Sequence, residues 1–224
     1  MIDQNVVDAI LLTVKLATIT SVLLVVITTP LAWWLSRWHH SAKPAVLSFL
    51  SLPLVLPPTV LGFYLLIAFS PQSIVGEGYA AVTGQTLAFS FEALVIGSVI
   101  YSFPFALQPL YSGFMSFDAR YLDVARSMGY RRFEAFFNVV LPLCRSSFAV
   151  AFGLSFAHTI GEFGVVLMIG GNIPGETQVL SIALYEHVEA LEYTIAHKVS
   201  LILLAFSFVT LFGLYWLNNK RGAV

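Results

Sequence analysis

Asp123-Val124-Ala125-Arg126-Ser127-Met128-Gly129-Tyr130-Arg131-Arg132 opens a charged stretch that closes on Val139-Val140-Leu141-Pro142, inside a chain that is otherwise almost wholly apolar. Before Gly129, the residues Tyr121, Leu122, Ala125 and Met128 recur at helical spacing, and after it Phe133, Phe136, Phe137, Val140 and Leu141 do the same. Asp118 or Ser116 is placed to cap the first helix. Gly129 is placed to end it, because glycine accepts the left-handed conformation at a helix C-terminus. The spacing therefore predicts a helix, a sharp turn and a second helix, with arginines on the polar side and Leu141-Pro142 where the chain enters a membrane. An amphipathic helix resting on a bilayer surface is the plainer alternative.

Composition explains why a membrane enters the argument. Of 224 residues, 58% are hydrophobic and only 10% charged, where a soluble domain carries about 25%. Mean hydropathy is +0.85, so the chain reads as a polytopic membrane protein. A net charge of −1 gives no signal for a polyanion, and no nucleic-acid partner is expected. The single cysteine, Cys144, is expected to serve packing. Asp3 and Asp8 precede the first apolar run, where a secretory signal would carry Lys or Arg. No phosphate-binding Gly-x4-Gly-Lys-Ser/Thr loop and no His-Glu-x-x-His or Gly-x-Ser-Gly motif is present. No catalytic or metal-ligating residue is assigned on this chain, and any pumping energy must come from a partner.

Five segments are long enough to span a bilayer core of about 30 Å. They run roughly over 7–38, 45–69, 88–115, 143–169 and 197–217, in one membrane domain covering 1–224. Of the 11 Lys and Arg, all but Lys15 and Lys198 fall on one side: Arg37 and Lys43, the segment 116–142 with Arg145 just beyond it, and Lys220 with Arg221. The positive-inside rule then places the N-terminus outside and the C-terminus inside, with outer loops at 70–87 and 170–196. Trp33, Trp34 and Trp38 are expected as an inner interfacial belt, and the Lys15 stem as a snorkelling one. Leu52-Pro53-Leu54-Val55-Leu56-Pro57-Pro58 puts three prolines in one apolar run, and Pro104 and Pro109 lie in the next. Each removes a backbone donor and crowds the preceding turn, which leaves either a kinked helix that only packs or a broken one lining a pathway.

The stretch from Asp123 to Pro142 resembles the coupling loop of bacterial ABC-importer permeases. Its pattern is Glu-Ala-Ala, three residues, Gly, nine residues, Ile-x-Leu-Pro, and the spacing matches throughout. Asp123, Val124 and Val139 depart conservatively from Glu, Ala and Ile. Nearly the whole chain resembles the molybdate ABC-transporter permease family, through Leu52–Gly62, through Gly161-Glu162-Phe163-Gly164, and through Asn172-Ile173-Pro174-Gly175-Glu176-Thr177. The resemblance implies an all-α membrane protein with the type I importer permease fold: five transmembrane helices and a cytoplasmic coupling helix. It implies an ATP-driven importer of molybdate, with tungstate commonly accepted, in a bacterial inner membrane. Its partners would be a second copy of the chain, two cytosolic ATPases that use ATP and Mg, and an external binding protein. Sulfate or another oxyanion is the alternative cargo. A secondary transporter is disfavoured, since those folds usually show internal repeats and no convincing repeat occurs here.

By this resemblance Asp123, Ala125, Arg126, Gly129, Leu141 and Pro142 would couple to the ATPase. Pro53, Pro57, Pro58, Gly161, Glu162 and Gly164 are pathway or gate candidates, and Asn172, Pro174, Gly175 and Glu176 are candidates for docking the binding protein. Glu162 stands four residues after His158 in an apolar run, so on a continuous helix the two share a face. An intramembrane ionisable residue is a functional candidate. A hydrogen-bonded Glu–His pair, contacts across a dimer and assistance of anion release all remain open for it. Gly161 and Gly164 are expected to allow close helix approach. Beyond the loop, Val179, Ile182, Ala183, Val188, Leu191 and Ile195 form a loose apolar face, read as an interfacial helix or a docking element.

Overall fold

A computed structural model describes the backbone of residues 4–219 and the side chains of 4–216. Asp3, before the first apolar run, and Lys220 and Arg221, of the basic C-terminal segment, lie outside the described residues. The described chain is helical. α1 (Gln4–Arg37) is a single rod, about 50 Å long at 1.5 Å per residue. α5 (Phe91–Met115), α9 (Arg145–Gly161) and α12 (Tyr193–Asn219) complete the long helices. α1, α5 and α9 pack mutually, and α12 lies against α9. Two of the apolar clusters among the described residues pack on these helices. One holds Leu16, Leu94, Val165 and Ile169. The other holds Leu24, Leu35, Leu107, Leu110 and Phe114.

Length and composition qualify Gln4–Arg37, Phe91–Met115 and Tyr193–Trp216 as membrane spans. Two further pairs qualify only together: Pro58–Phe69 with Ile74–Thr83, bent by 55°, and Arg132–Leu143 with Arg145–Gly161, bent by 73°. The expected second span, 45–69, is thus not one helix. It comprises α2 (Lys43–Leu50), a 3-10 turn at Leu52–Leu54 and α3 (Pro58–Phe69). Pro57 takes ψ 134°, as the residue before a proline prefers, so Pro57 holds the chain extended and Pro58 starts α3, whereas α2 has already ended at Leu50. Pro104 and Pro109 do not break theirs. α5 runs through both, with Pro104 buried among its neighbours.

The region 70–87 holds a helix, α4 (Ile74–Thr83), capped by the Ser73 hydroxyl, which accepts the Gly76 N–H at 2.9 Å. Trp33 is not a free belt residue. Its ring packs edge-on against Phe114 at 5.2 Å and Phe136 at 5.5 Å. Trp34 is half exposed and stacks on Trp38 at 4.7 Å. The Lys15 ammonium sits 4.4 Å from the Phe91 ring centroid.

Candidate functional site

The charged stretch folds as a corner. α6 (Arg120–Ser127) starts where the Asp118 carboxylate accepts the Arg120 N–H at 2.9 Å. It ends at Gly129, whose φ is +85°, and the Gly129 and Tyr130 N–H groups donate to Arg126 and Ala125 carbonyls. The chain then re-enters helix at α7 (Arg132–Ala135), where Glu134 accepts the Arg131 N–H at 2.8 Å. A π-helical turn (Phe136–Val140) follows and leads into α8 (Leu141–Leu143). The apolar face predicted across this stretch is divided. Ala125 and Ala135 are almost fully buried, and Val140 completely. Tyr121, Val124, Met128 and Phe133 point outward, with Phe133 80% exposed. Two turns of helix can lay only one narrow stripe against a neighbour, so the remaining apolar side chains stay uncovered. Asp123 and Arg126 pair at 3.2 Å in the open. Leu141 is half-buried and Pro142 exposed at the start of the turn into α9.

A second corner lies deep in the apolar part. The expected span 143–169 breaks at Glu162-Phe163, between α9 and α10 (Gly164–Gly170). Glu162 is 5% exposed, and its carboxylate accepts the Val165 N–H at 2.7 Å. Its own carbonyl accepts the Ser181 hydroxyl at 2.6 Å. The Glu162–His158 pair does not form, because Glu162 has left the helix that would have aligned them. His158 instead meets the Ser102 hydroxyl at 2.9 Å and stacks on Phe105 at 3.9 Å. Ser102 also meets Thr159 at 3.2 Å. Among the described residues, no group of three or more His, Cys, Asp or Glu converges as a metal site would.

Close packing explains one of the two glycines here. A Cβ at Gly164 would stand 2.7 Å from Pro58 Cβ, whereas one at Gly161 would meet nothing within 4 Å. Gly62 extends the same crossing, since its Cβ would fall 2.8 Å from Met168 Cβ. Pro58 and Gly164 are therefore brought into contact beside Glu162, with Gly161 just before the break. Pro57 is exposed immediately before Pro58. Pro53 lies in the 3-10 turn, which packs on α5 instead.

Asn172, Pro174, Gly175 and Glu176 all lie exposed in the loop after α10, where Gly175 turns the chain with φ +79°. Buried Thr177 ties this loop down: its hydroxyl donates to Gly170 O at 2.7 Å and accepts the Ile173 N–H at 3.2 Å. The Asn172 and Gln178 amides both donate to Glu186 on α11 (Leu180–Glu189), at 3.0 and 2.6 Å. Thr13 of α1 accepts the Leu180 N–H at 2.8 Å, which fixes the start of α11. The expected apolar face after Gln178 stops short. Val179, Ile182 and Ala183 are buried, but Val188 is 42% exposed, and Leu191 is 70% exposed with φ +61° in the turn before α12. On the outer face of α11, Glu189 accepts the Tyr185 hydroxyl and pushes its pKa up. Sequence reasoning missed Thr13, Ser102, Thr177 and Ser181. A hydroxyl inside an apolar run was the available signal, but it does not name its partner.

The family described as "binding-protein-dependent transport system inner membrane component" matches residues 28–222. The chain belongs to that family. It is 49% identical over 207 residues to the molybdenum transport system permease protein ModB of Azotobacter vinelandii, covering 92% of each chain. It is 32% identical to ModB of Escherichia coli K12, over 81% of this chain and 80% of that one. The sulfate transport system permease protein CysT of E. coli K12 is 27% identical, over 86% of this chain and 69% of that one. A solved bacterial ABC transporter that imports the acidic polysaccharide alginate matches with a TM-score of 0.76 at 15% identity, over 97% of this chain and 80% of that one. The inward-facing MetNI methionine ABC transporter matches at 0.70 and 13%, over 96% and 95%. At those identities the two structures establish the fold alone. The described chain is thus an all-α importer permease in fold, and by family a membrane transport component rather than an enzyme.

Proposed function

We infer that this chain is the membrane-embedded permease of an ATP-driven importer whose cargo is molybdate, with tungstate as a second substrate. The observation that carries the reading is the 49% identity to the Azotobacter permease over 92% of both chains. The sulfate permease of E. coli stands at 27% and is matched over only 69% of its own length. In this reading two copies of the chain face each other in a bacterial inner membrane. Two separate ATPase subunits hydrolyse ATP with Mg, and an external binding protein delivers the oxyanion.

The corner at Gly129 suits the coupling role. Tyr121, Val124 and Met128 form an exposed apolar knob on an otherwise basic segment, as a surface covered by a partner would. A short helix held by capping bonds at both ends transmits displacement as a rigid body, so ATPase closure would move α9 through α7 and α8. Asn172, Pro174, Gly175 and Glu176 would meet the binding protein on the opposite side. The crossing of Pro58 with Gly164 beside Glu162 would form part of the gate.

The test is uptake of labelled molybdate into proteoliposomes holding the chain, its ATPase and its binding protein. Uptake that depends on ATP, is competed by unlabelled tungstate, and resists a large excess of sulfate is expected. Competition by sulfate equal to that by tungstate would move the assignment to the sulfate class.

A further inference from the structure

Two cavities at the basic end of the helix bundle share a wall. The first, about 260 Å³, is lined by Arg37, Arg126, Arg132 and Tyr130 above Trp33. The second, about 340 Å³, is lined by Thr29, Pro30, Phe133 and Phe137. Trp33, Arg132 and Phe136 belong to both. One cavity is cationic and the other apolar, and no carboxylate lines either. The Arg37 guanidinium lies 3.2 Å from the Trp33 ring centroid and donates to the Ser36 hydroxyl at 3.2 Å. Arg126 is partly matched by Asp123. Among the described residues, neither Arg37 nor Arg132 has an ion-pair partner.

We propose that this double cavity binds one anionic phospholipid, with its phosphate among Arg37, Arg132 and Arg126 and an acyl chain along Pro30, Phe133 and Phe137. The charge order supports this occupant. Arginines stand where α1 leaves its apolar stretch, and the apolar cavity continues from them towards the membrane interior. A basic pocket between helices at the cytoplasmic face is the arrangement that binds acidic headgroups. A free phosphate would leave the apolar half unfilled, and a zwitterionic lipid would bring a positive group against the arginines. The position has a mechanical consequence. The lipid would bridge the end of α1 to α7, and so tie the first span to the corner at Gly129. The proposal rests on the membrane reading of the chain but not on which oxyanion is carried.

The experiment is native mass spectrometry of the full chain, purified in detergent with its ATPase and titrated with dioleoyl phosphatidylglycerol or dioleoyl phosphatidylcholine. Retention of one phosphatidylglycerol per chain is expected at concentrations where phosphatidylcholine is lost. Arg37→Gln combined with Arg132→Gln should weaken that retention roughly tenfold or more, the order expected for two arginines facing an anionic headgroup. Equal retention of both lipids would overturn the proposal, as would wild-type retention by the double variant. Displacement of phosphatidylglycerol by millimolar inorganic phosphate would show a free-anion site and overturn it too. Should the double variant fail to assemble, the two wild-type arms decide the matter alone.

Discussion

Two of the chain's corners, at Gly129 and at Glu162, are built on opposite principles. At Gly129 the turn stands in the open. Its φ is +85°, and an added Cβ would meet nothing within 4 Å. At Glu162 the turn is buried, held by a carboxylate on the next helix, a hydroxyl from α11 and a proline from α3. The first corner is made by one residue's backbone freedom, the second by agreement among four elements. A corner that must move against a partner needs few internal contacts. A corner set among tightly packed spans moves only if its neighbours rearrange with it.

The largest effect is expected at the buried corner. Glu162→Ala removes the acceptor of the Val165 N–H and leaves that donor in an apolar interior, which costs about 1–3 kcal/mol. Thermal inactivation in detergent should fall by several degrees. Glu162→Gln keeps an oxygen in place and should recover most of the loss. If glutamine is as damaging as alanine, the charge and not the hydrogen bond holds this corner, and the contrast with Gly129 becomes electrostatic rather than steric.

The open corner should behave differently. Gly129→Arg forces a left-handed side chain, at a cost of roughly 1–2 kcal/mol, but its Cβ would meet nothing within 4 Å. The spans should stay folded while ATPase pull-down weakens and hydrolysis stops responding to loaded binding protein. Gly129→Ala separates the two causes, since it carries the backbone strain without the bulk. Normal uptake by Gly129→Arg, with an intact pull-down, would reduce this segment to an ordinary basic loop.

The same contrast explains what the sequence disclosed. Gly129 was legible because its cause is local: apolar spacing on both sides, a glycine between, and an Asp to begin the first helix. The Glu162 corner was not. It lies in an unbroken apolar run, and periodicity registers faces rather than breaks. Its causes are Pro58, far upstream, and Ser181, beyond the next loop. Proline content left the choice between kink and break open for the same reason. Pro57-Pro58 keeps the 3-10 turn and α3 from joining, because two successive donors are missing and the first residue is driven to extended backbone. Pro104 and Pro109 are isolated, and the helix that carries them packs against both α1 and α9, so it continues. The identity of the outward apolar residues on α6 and α7 was also hidden, because spacing gives a face and only packing decides which part of it is covered.

The smallest effect sharpens the comparison most cleanly. Asp123 and Arg126 form the only ion pair between Asp or Glu and Lys or Arg among the described residues, at 3.2 Å. Both side chains are well exposed, at 72% and 65%. Such a pair contributes about 0–1 kcal/mol, and much of that is screened by salt. Asp123→Asn should therefore leave the thermal midpoint unchanged within error. If Asp123 instead faces the ATPase, it acts as a rim charge, and rim charges govern association rate and its salt dependence more than residence time. The expected result is slower association with the ATPase subunit at low ionic strength, and equal rates for variant and wild type at high salt. A midpoint drop matching that of Glu162→Ala would contradict this account, because the open corner would then depend on a tertiary contact as the buried one does.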